Sequence, residues 1–165
     1  RAENTEILDW VSTTLPGDDH TRILEHGKLN SDYANSGEWL FSRLEFQSWS
    51  RADDDSQPVL WLPGPGKRVC LVIEQCRKVF LPVGKEAHQL AFFYCSRKQG
   101  TEEANSPKSL LRSLLRQLAW SPTNRSISPV VKEKYRQWQQ NQGHGGYRLR
   151  TDDCIKLITQ LISSK

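Results

Sequence analysis

The sequence predicts an α/β domain built on a parallel sheet, and three observations carry that prediction. Leu90-Ala91-Phe92-Phe93-Tyr94-Cys95 is apolar on both parities, the pattern of a central strand covered on both faces. Val59-Leu60-Trp61-Leu62 is a compact apolar run closed by Pro63-Gly64, again strand-like in length and flanks. Helix-period segments follow each run, which is the alternation that a parallel sheet needs. The chain has 165 residues, so it makes about one domain. With 36% hydrophobic and 25% charged residues it is neither collagen-like, mucin-like nor wholly disordered.

The elements follow in chain order. Ile7–Ser12 puts Ile7, Trp10 and Val11 on one face of a short amphipathic segment. Pro16-Gly17 breaks it, and Asp18-Asp19-His20 can cap a helix running toward His26. Asn35-Ser36-Gly37 is a turn, and Ser42 with Glu45 resembles a capping box for a helix from Arg43 to Trp49. Arg51–Pro58 is an acidic loop. The Val59–Leu62 run leads through Pro63–Lys67 into a helix over Val69–Val79, and Pro82–Lys85 turns the chain toward the Leu90–Cys95 run. Ser106-Pro107 reads as an N-cap with proline at the first helical position, ahead of the stripe Leu110, Leu111, Leu114, Leu115, Leu118. Ser121–Ser128 is a loop. Pro129–Gln140 is a basic helix with Val130, Val131, Tyr135 and Trp138 on one side. Thr151 or Asp152 caps a last helix carrying Cys154, Ile155, Leu157, Ile158, Leu161 and Ile162. Two strands make a marginal sheet, so further strands are expected beyond Lys165. The chain contains no Met, which fits a processed form or a fragment.

The net charge of +4 is unevenly spread. Residues 1–60 carry five basic and twelve acidic side chains, whereas residues 97–150 carry eleven and three, so +8. Such a stretch is either a pair of solvated amphipathic helices or a phosphate-attracting surface. Tyr135, Trp138 and Tyr147 lie among its basic residues, as stacking sites can, but no nucleic-acid motif accompanies them. The thiols Cys70, Cys76, Cys95 and Cys154 form no CxxC pair and have no histidine pair at zinc spacing. They read as reduced, mostly buried thiols of a cytoplasmic protein. Cys70 stands just after Lys67-Arg68, where a helix N-terminus can acidify a thiol. His20, His26, His88 and His144 suggest surface or turn roles and no metal site. No apolar run is long enough to span a bilayer, and Arg1–Ser12 has no signal-peptide core.

The chemistry concentrates in Gly64-Pro65-Gly66-Lys67-Arg68. A strand, a glycine-rich loop ending in lysine and then a helix is the context of a phosphate-binding loop. Backbone N–H groups and the helix N-terminus hold phosphate oxygens, the lysine neutralises them, and a following Ser or Thr holds Mg²⁺. The full pattern places five residues between its first glycine and its lysine. Here there are two, Pro65 lacks an N–H, and Arg68 replaces the hydroxyl.

Further motifs carry a resemblance. Ile7-Leu8-Asp9-Trp10-Val11-Ser12 is followed by Asn35-Ser36-Gly37-Glu38-Trp39-Leu40-Phe41 and Phe46-Gln47-Ser48-Trp49. Then come Leu60–Arg68, the aromatic Leu90–Cys95 run and Leu110–Leu118. In order and spacing this resembles a fungal NACHT-type (STAND, NLR-like) P-loop NTPase of the nephrocystin-3-like N-terminal family. The resemblance implies a partial P-loop NTPase, a three-layer αβα domain with a parallel sheet over residues 58–165, behind a helical segment over residues 1–57. It implies ATP or ADP, with Mg²⁺, bound at Gly64, Pro65, Gly66, Lys67 and Arg68, and a nucleotide base near Gly37–Trp39. The acidic residues of the Walker B strand would lie past Lys165, so no catalytic base and no metal ligand is named. Partners would act through repeat and effector domains outside this segment, with self-association possible and neither membrane nor nucleic acid expected. The short loop leaves three accounts: a degenerate site, a mis-spliced gene model, or phosphate held by Lys67, Arg68 and the helix end. The alternative function is a protein-interaction scaffold that has lost the nucleotide.

Overall fold

The computed structural model describes residues 2–28, 38–51, 59–60, 67–80, 90–95, 105–122, 124–141 and 149–163. Among these the helices are α1 (Ala2–Val11), α2 (Pro16–Lys28), α3 (Glu38–Phe41), α4 (Leu44–Arg51), α5 (Lys67–Phe80), α6 (Pro107–Ala119), α7 (Pro129–Gln140) and α8 (Thr151–Ser163). The sheet among the described residues is one antiparallel pair, β1 (Trp120–Ser121) and β2 (Ser126–Ile127), joined through a turn where Arg125 takes φ 47°. The expected parallel sheet and three-layer αβα P-loop architecture are therefore overturned. The fold described is helical.

The reason is visible at Leu90–Cys95, which forms no ladder. The Phe92 N–H donates to Gln117 Oε1 at 3.2 Å, and the Phe92 carbonyl accepts from Gln117 Nε2 at 2.8 Å. A side-chain amide thus takes both backbone groups that a neighbouring strand would pair. Residues 90–94 are half-buried rather than enclosed, and the Arg77 guanidinium lies 5.5 Å from the Phe92 ring centre. Of the other expected strand, Trp61 and Leu62 lie outside the described residues, and Val59 is exposed.

The chain divides into two compact units, residues 1–16 with 77–165, and residues 17–76. The first unit has one apolar core centred on α6. Ser106 caps that helix, its Oγ accepting from the Ser109 N–H at 3.2 Å, and Pro107 holds the first position. Leu111, Leu115, Leu118 and Ala119 then face Ile7, Trp10 and Val11 of α1, Val131, Tyr135 and Trp138 of α7, and Cys154, Leu157, Ile158 and Leu161 of α8. Each set recurs at three- and four-residue intervals, the stripe of an amphipathic helix. Each fully buried Leu, Ile or Val side chain contributes roughly 1.5–3 kcal/mol of transfer free energy. The stripe on α8 is narrower than its sequence suggests, since Ile155 and Ile162 are exposed. Asp153 stands where an acidic residue can reach back over the start of α8, accepting from the Arg150 N–H at 3.4 Å.

Two arginines of α6 lock α1 in place. Arg112 donates through Nε to the Val11 carbonyl at 2.6 Å and through Nη2 to the Trp10 carbonyl at 2.7 Å. Arg116 Nη1 donates to the Ser12 carbonyl at 2.5 Å and to Asp9 Oδ1 at 2.9 Å. The last carbonyls of a helix have no partner within it, and cations are favoured at that end.

Helix α2 leads into the second unit, and Pro16-Gly17 opens it rather than lying in the break after α1, because proline is pre-set for the first helical turn. Asp18 and Asp19 in that turn complement the helix dipole. Ser42 does not cap α4. Its Oγ donates to the Trp39 carbonyl at 3.0 Å and so closes α3. Phe46 is buried between Phe41 and Trp49, with ring centres 5.2 and 5.7 Å away. Helix α5 buries Cys70, Ile73 and Cys76.

Arg112→Ala is expected to lower unfolding free energy by about 2–3 kcal/mol, since charge-assisted hydrogen bonds to two carbonyls are lost together. Arg112→Lys should recover less than half, because an ammonium cannot reproduce the planar fork. Urea unfolding reads both values, and an Arg112→Ala midpoint equal to that of the wild type would remove the clamp from the account.

Candidate functional site

Of the residues expected to bind nucleotide, Gly64, Pro65 and Gly66 lie outside the described residues, as do the side chains of Lys67 and Arg68. The backbone of Lys67 and Arg68 opens α5, so the helix begins at the residue that follows Gly66. No acidic residue stands in its first turn, and the positive end of the helix dipole there suits an anion. A magnesium ion fits less well. Arg68 offers no oxygen ligand, and the described residues contain no group of three His, Cys, Asp or Glu side chains able to hold a metal. Trp39, named as a possible base contact, is 46% exposed on α3, while Gly37 lies outside the described residues.

One turn into α5 the structure assembles a cluster that the sequence did not reveal. His20 is 2% exposed, against the expectation of a surface or turn role. Its Nε2 lies 2.8 Å from Glu74 Oε1, and its Nδ1 lies 3.4 Å from Cys70 Sγ. A carboxylate only accepts, so Nε2 carries a ring proton, and in the neutral ring Nδ1 is then the acceptor that faces the thiol. The His20 carbonyl, 3.9 Å from Sγ, is the weaker alternative acceptor. Cys70 and Glu74 are four apart on α5 and share a face, which was legible. His20 is 50 positions away, and no local pattern points to it. His26 is exposed, and His88 and His144 lie outside the described residues. None of the four cysteines forms a disulfide; Cys70, Cys76 and Cys154 are buried and Cys95 is exposed. Burial pushes the Cys76 and Cys154 thiols up.

Part of the basic stretch is engaged inside the fold. Arg112 and Arg116 hold α1, and Lys134 Nζ pairs with Asp153 Oδ1 at 2.8 Å, which holds the Asp153 carboxyl below its usual range. Tyr135 and Trp138 pack on Trp10, with ring centres 5.2–5.6 Å apart, and are core rather than base-stacking residues. The Tyr135 hydroxyl donates to Glu6 Oε1 at 2.6 Å, and that bond, with burial, pushes its pKa up to about 12. Tyr147 lies outside the described residues.

A family model described as Nephrocystin 3, N-terminal, matches residues 35–165. The chain belongs to this family. The match takes in the Asn35–Phe41 and Phe46–Trp49 motifs, the Gly/Pro loop and the Leu110–Leu118 helix, so the NACHT-like resemblance read from those motifs holds. The Vegetative incompatibility protein HET-E-1 of Podospora anserina is 32% identical over 113 residues, which are 64% of this chain and 7% of that protein. The nephrocystin-type segment thus spans a small fraction of that relative's length. No solved structure matches the chain. Among the described residues no helix is long and apolar enough to cross a membrane.

Because the folded state holds the Tyr135 proton more tightly than the ordinary value of 10.0, stability from this bond is complete below about pH 10 and is lost as pH rises toward about 12. Tyr135→Phe is expected to cost about 1 kcal/mol at pH 7. The gap should close at high pH, read by denaturant unfolding at pH 7, 10 and 11.5. A pH-independent gap would mean that the bond to Glu6 is not its source.

Proposed function

We propose that this chain is the ATP- or ADP-binding module of a cytoplasmic NACHT/STAND signal-transducing protein, of the kind that acts in vegetative incompatibility. The observation that supports this best is the start of α5 at Lys67, directly after Gly64-Pro65-Gly66. The N-terminal end of the helix dipole and two consecutive cationic positions then coincide. Gly64 and Gly66 let the backbone approach the phosphates. Lys67 neutralises them, and Arg68 adds a second charge. Pro65 shapes the loop without donating. Bound ATP or ADP would supply the switching signal, and repeat and effector domains elsewhere in the protein would transmit it, with self-association as one output. No hydrolytic base is assigned.

The shortness of the loop favours a second reading. With two residues between Gly64 and Lys67 and an arginine in the Mg²⁺ position, a scaffold that kept the fold and lost the nucleotide is also consistent.

Calorimetric titration of ATP and ADP, with and without Mg²⁺, separates the two readings. The nucleotide reading expects micromolar binding, about −8 kcal/mol, that weakens at least about tenfold in Lys67→Ala. The absence of Mg²⁺ should change this little. No heat from a folded sample, or unchanged affinity in Lys67→Ala, selects the scaffold.

A further inference from the structure

We infer that Cys70 is a peroxide-oxidisable thiol, activated by His20 and Glu74, and therefore a modification site on α5. The inference stands on the cluster alone and does not depend on nucleotide binding. A thiol within reach of an imidazole whose far nitrogen is held by a carboxylate is the arrangement that activates a sulfur nucleophile. Here the three groups are aligned in the order Cys70, His20, Glu74, with separations of 3.4 and 2.8 Å. Glu74 fixes the ring so that Nδ1 accepts the thiol proton, and it stabilises the imidazolium that results.

The chain supplies its own comparison. Cys70 and Cys154 are both 0% exposed and Cys76 is 4% exposed, so burial does not distinguish them. What distinguishes Cys70 is the imidazole. Burial dominates at the other two thiols and keeps them protonated.

The step with hydrogen peroxide balances within the cluster. The Cys70 proton passes to His20 Nδ1, and the thiolate sulfur attacks one peroxide oxygen. An S–O bond forms as the O–O bond breaks, and the departing hydroxide takes the proton from His20 and leaves as water. Sulfur is oxidised by two electrons to a sulfenic acid, peroxide is reduced, and His20 returns to its starting form.

The test treats the whole chain with limiting hydrogen peroxide in the presence of dimedone and quantifies labelling at each cysteine by peptide mass spectrometry. Cys70 is expected to be labelled at least about tenfold more than Cys154 and Cys76. Circular dichroism first checks that His20→Gln is folded. That variant should lower labelling at Cys70 by about tenfold while leaving Cys154 unchanged, and Glu74→Gln should lie between the two. Equal labelling of Cys70 and Cys154 in the wild type overturns the proposal without any variant. Undiminished Cys70 labelling in a folded His20→Gln protein overturns it as well.

Discussion

The guanidinium of Arg112 on the last carbonyls of α1 is the constraint around which the first unit is organised. The two groups are 101 positions apart, so the contact closes a very long stretch of chain. Loop closure grows in cost only with the logarithm of length, and a charged fork together with an apolar stripe offsets it. Ile7, Trp10 and Val11 bury α1 against α6, but a helix end placed there without donors would leave carbonyls unpaired. The apolar face selects the surface and the arginine fork sets its register.

That division explains what could be read from the sequence. The stripes of α1, α6, α7 and α8 are local patterns with a 3.6-residue period, and each marks a helix that the structure contains. The caps at Ser106 and Pro107 are local too, and were legible for the same reason. The sheet was not legible. A run such as Leu90–Cys95 states that it is apolar on both faces, but not what will pair its backbone. Gln117 supplies that pairing at Phe92, and inside a leucine stripe it reads as one ordinary polar residue of α6. Ser42 shows the same limit at shorter range. Its position suits a cap in either direction, and the structure turns its hydroxyl back to Trp39.

The site divides in the same way. The Gly/Pro loop and its lysine announce themselves because phosphate chemistry needs consecutive residues. The positive stretch was ambiguous because counting charge does not reveal its partners. Arg112, Arg116 and Lys134 are engaged with carbonyls and carboxylates of the fold, so part of the positive charge is structural rather than available to a polyanion. His20 was misread for the opposite reason. It looked like one of four scattered histidines, and only the packing of α2 on α5 gives it a thiol on one side and a carboxylate on the other.

Position 67 and position 70 are one turn apart on α5, so the helix start and the thiol cluster belong to a single rigid element. Whatever binds the first turn and whatever alters the charge at Cys70 therefore act on the same body. Converting the thiol to a sulfenic acid adds an oxygen where Sγ now faces Nδ1 at 3.4 Å. A close-packed site cannot absorb that atom without moving α5 against α2 or turning the histidine out. The first of these responses shifts the helix that begins at Lys67.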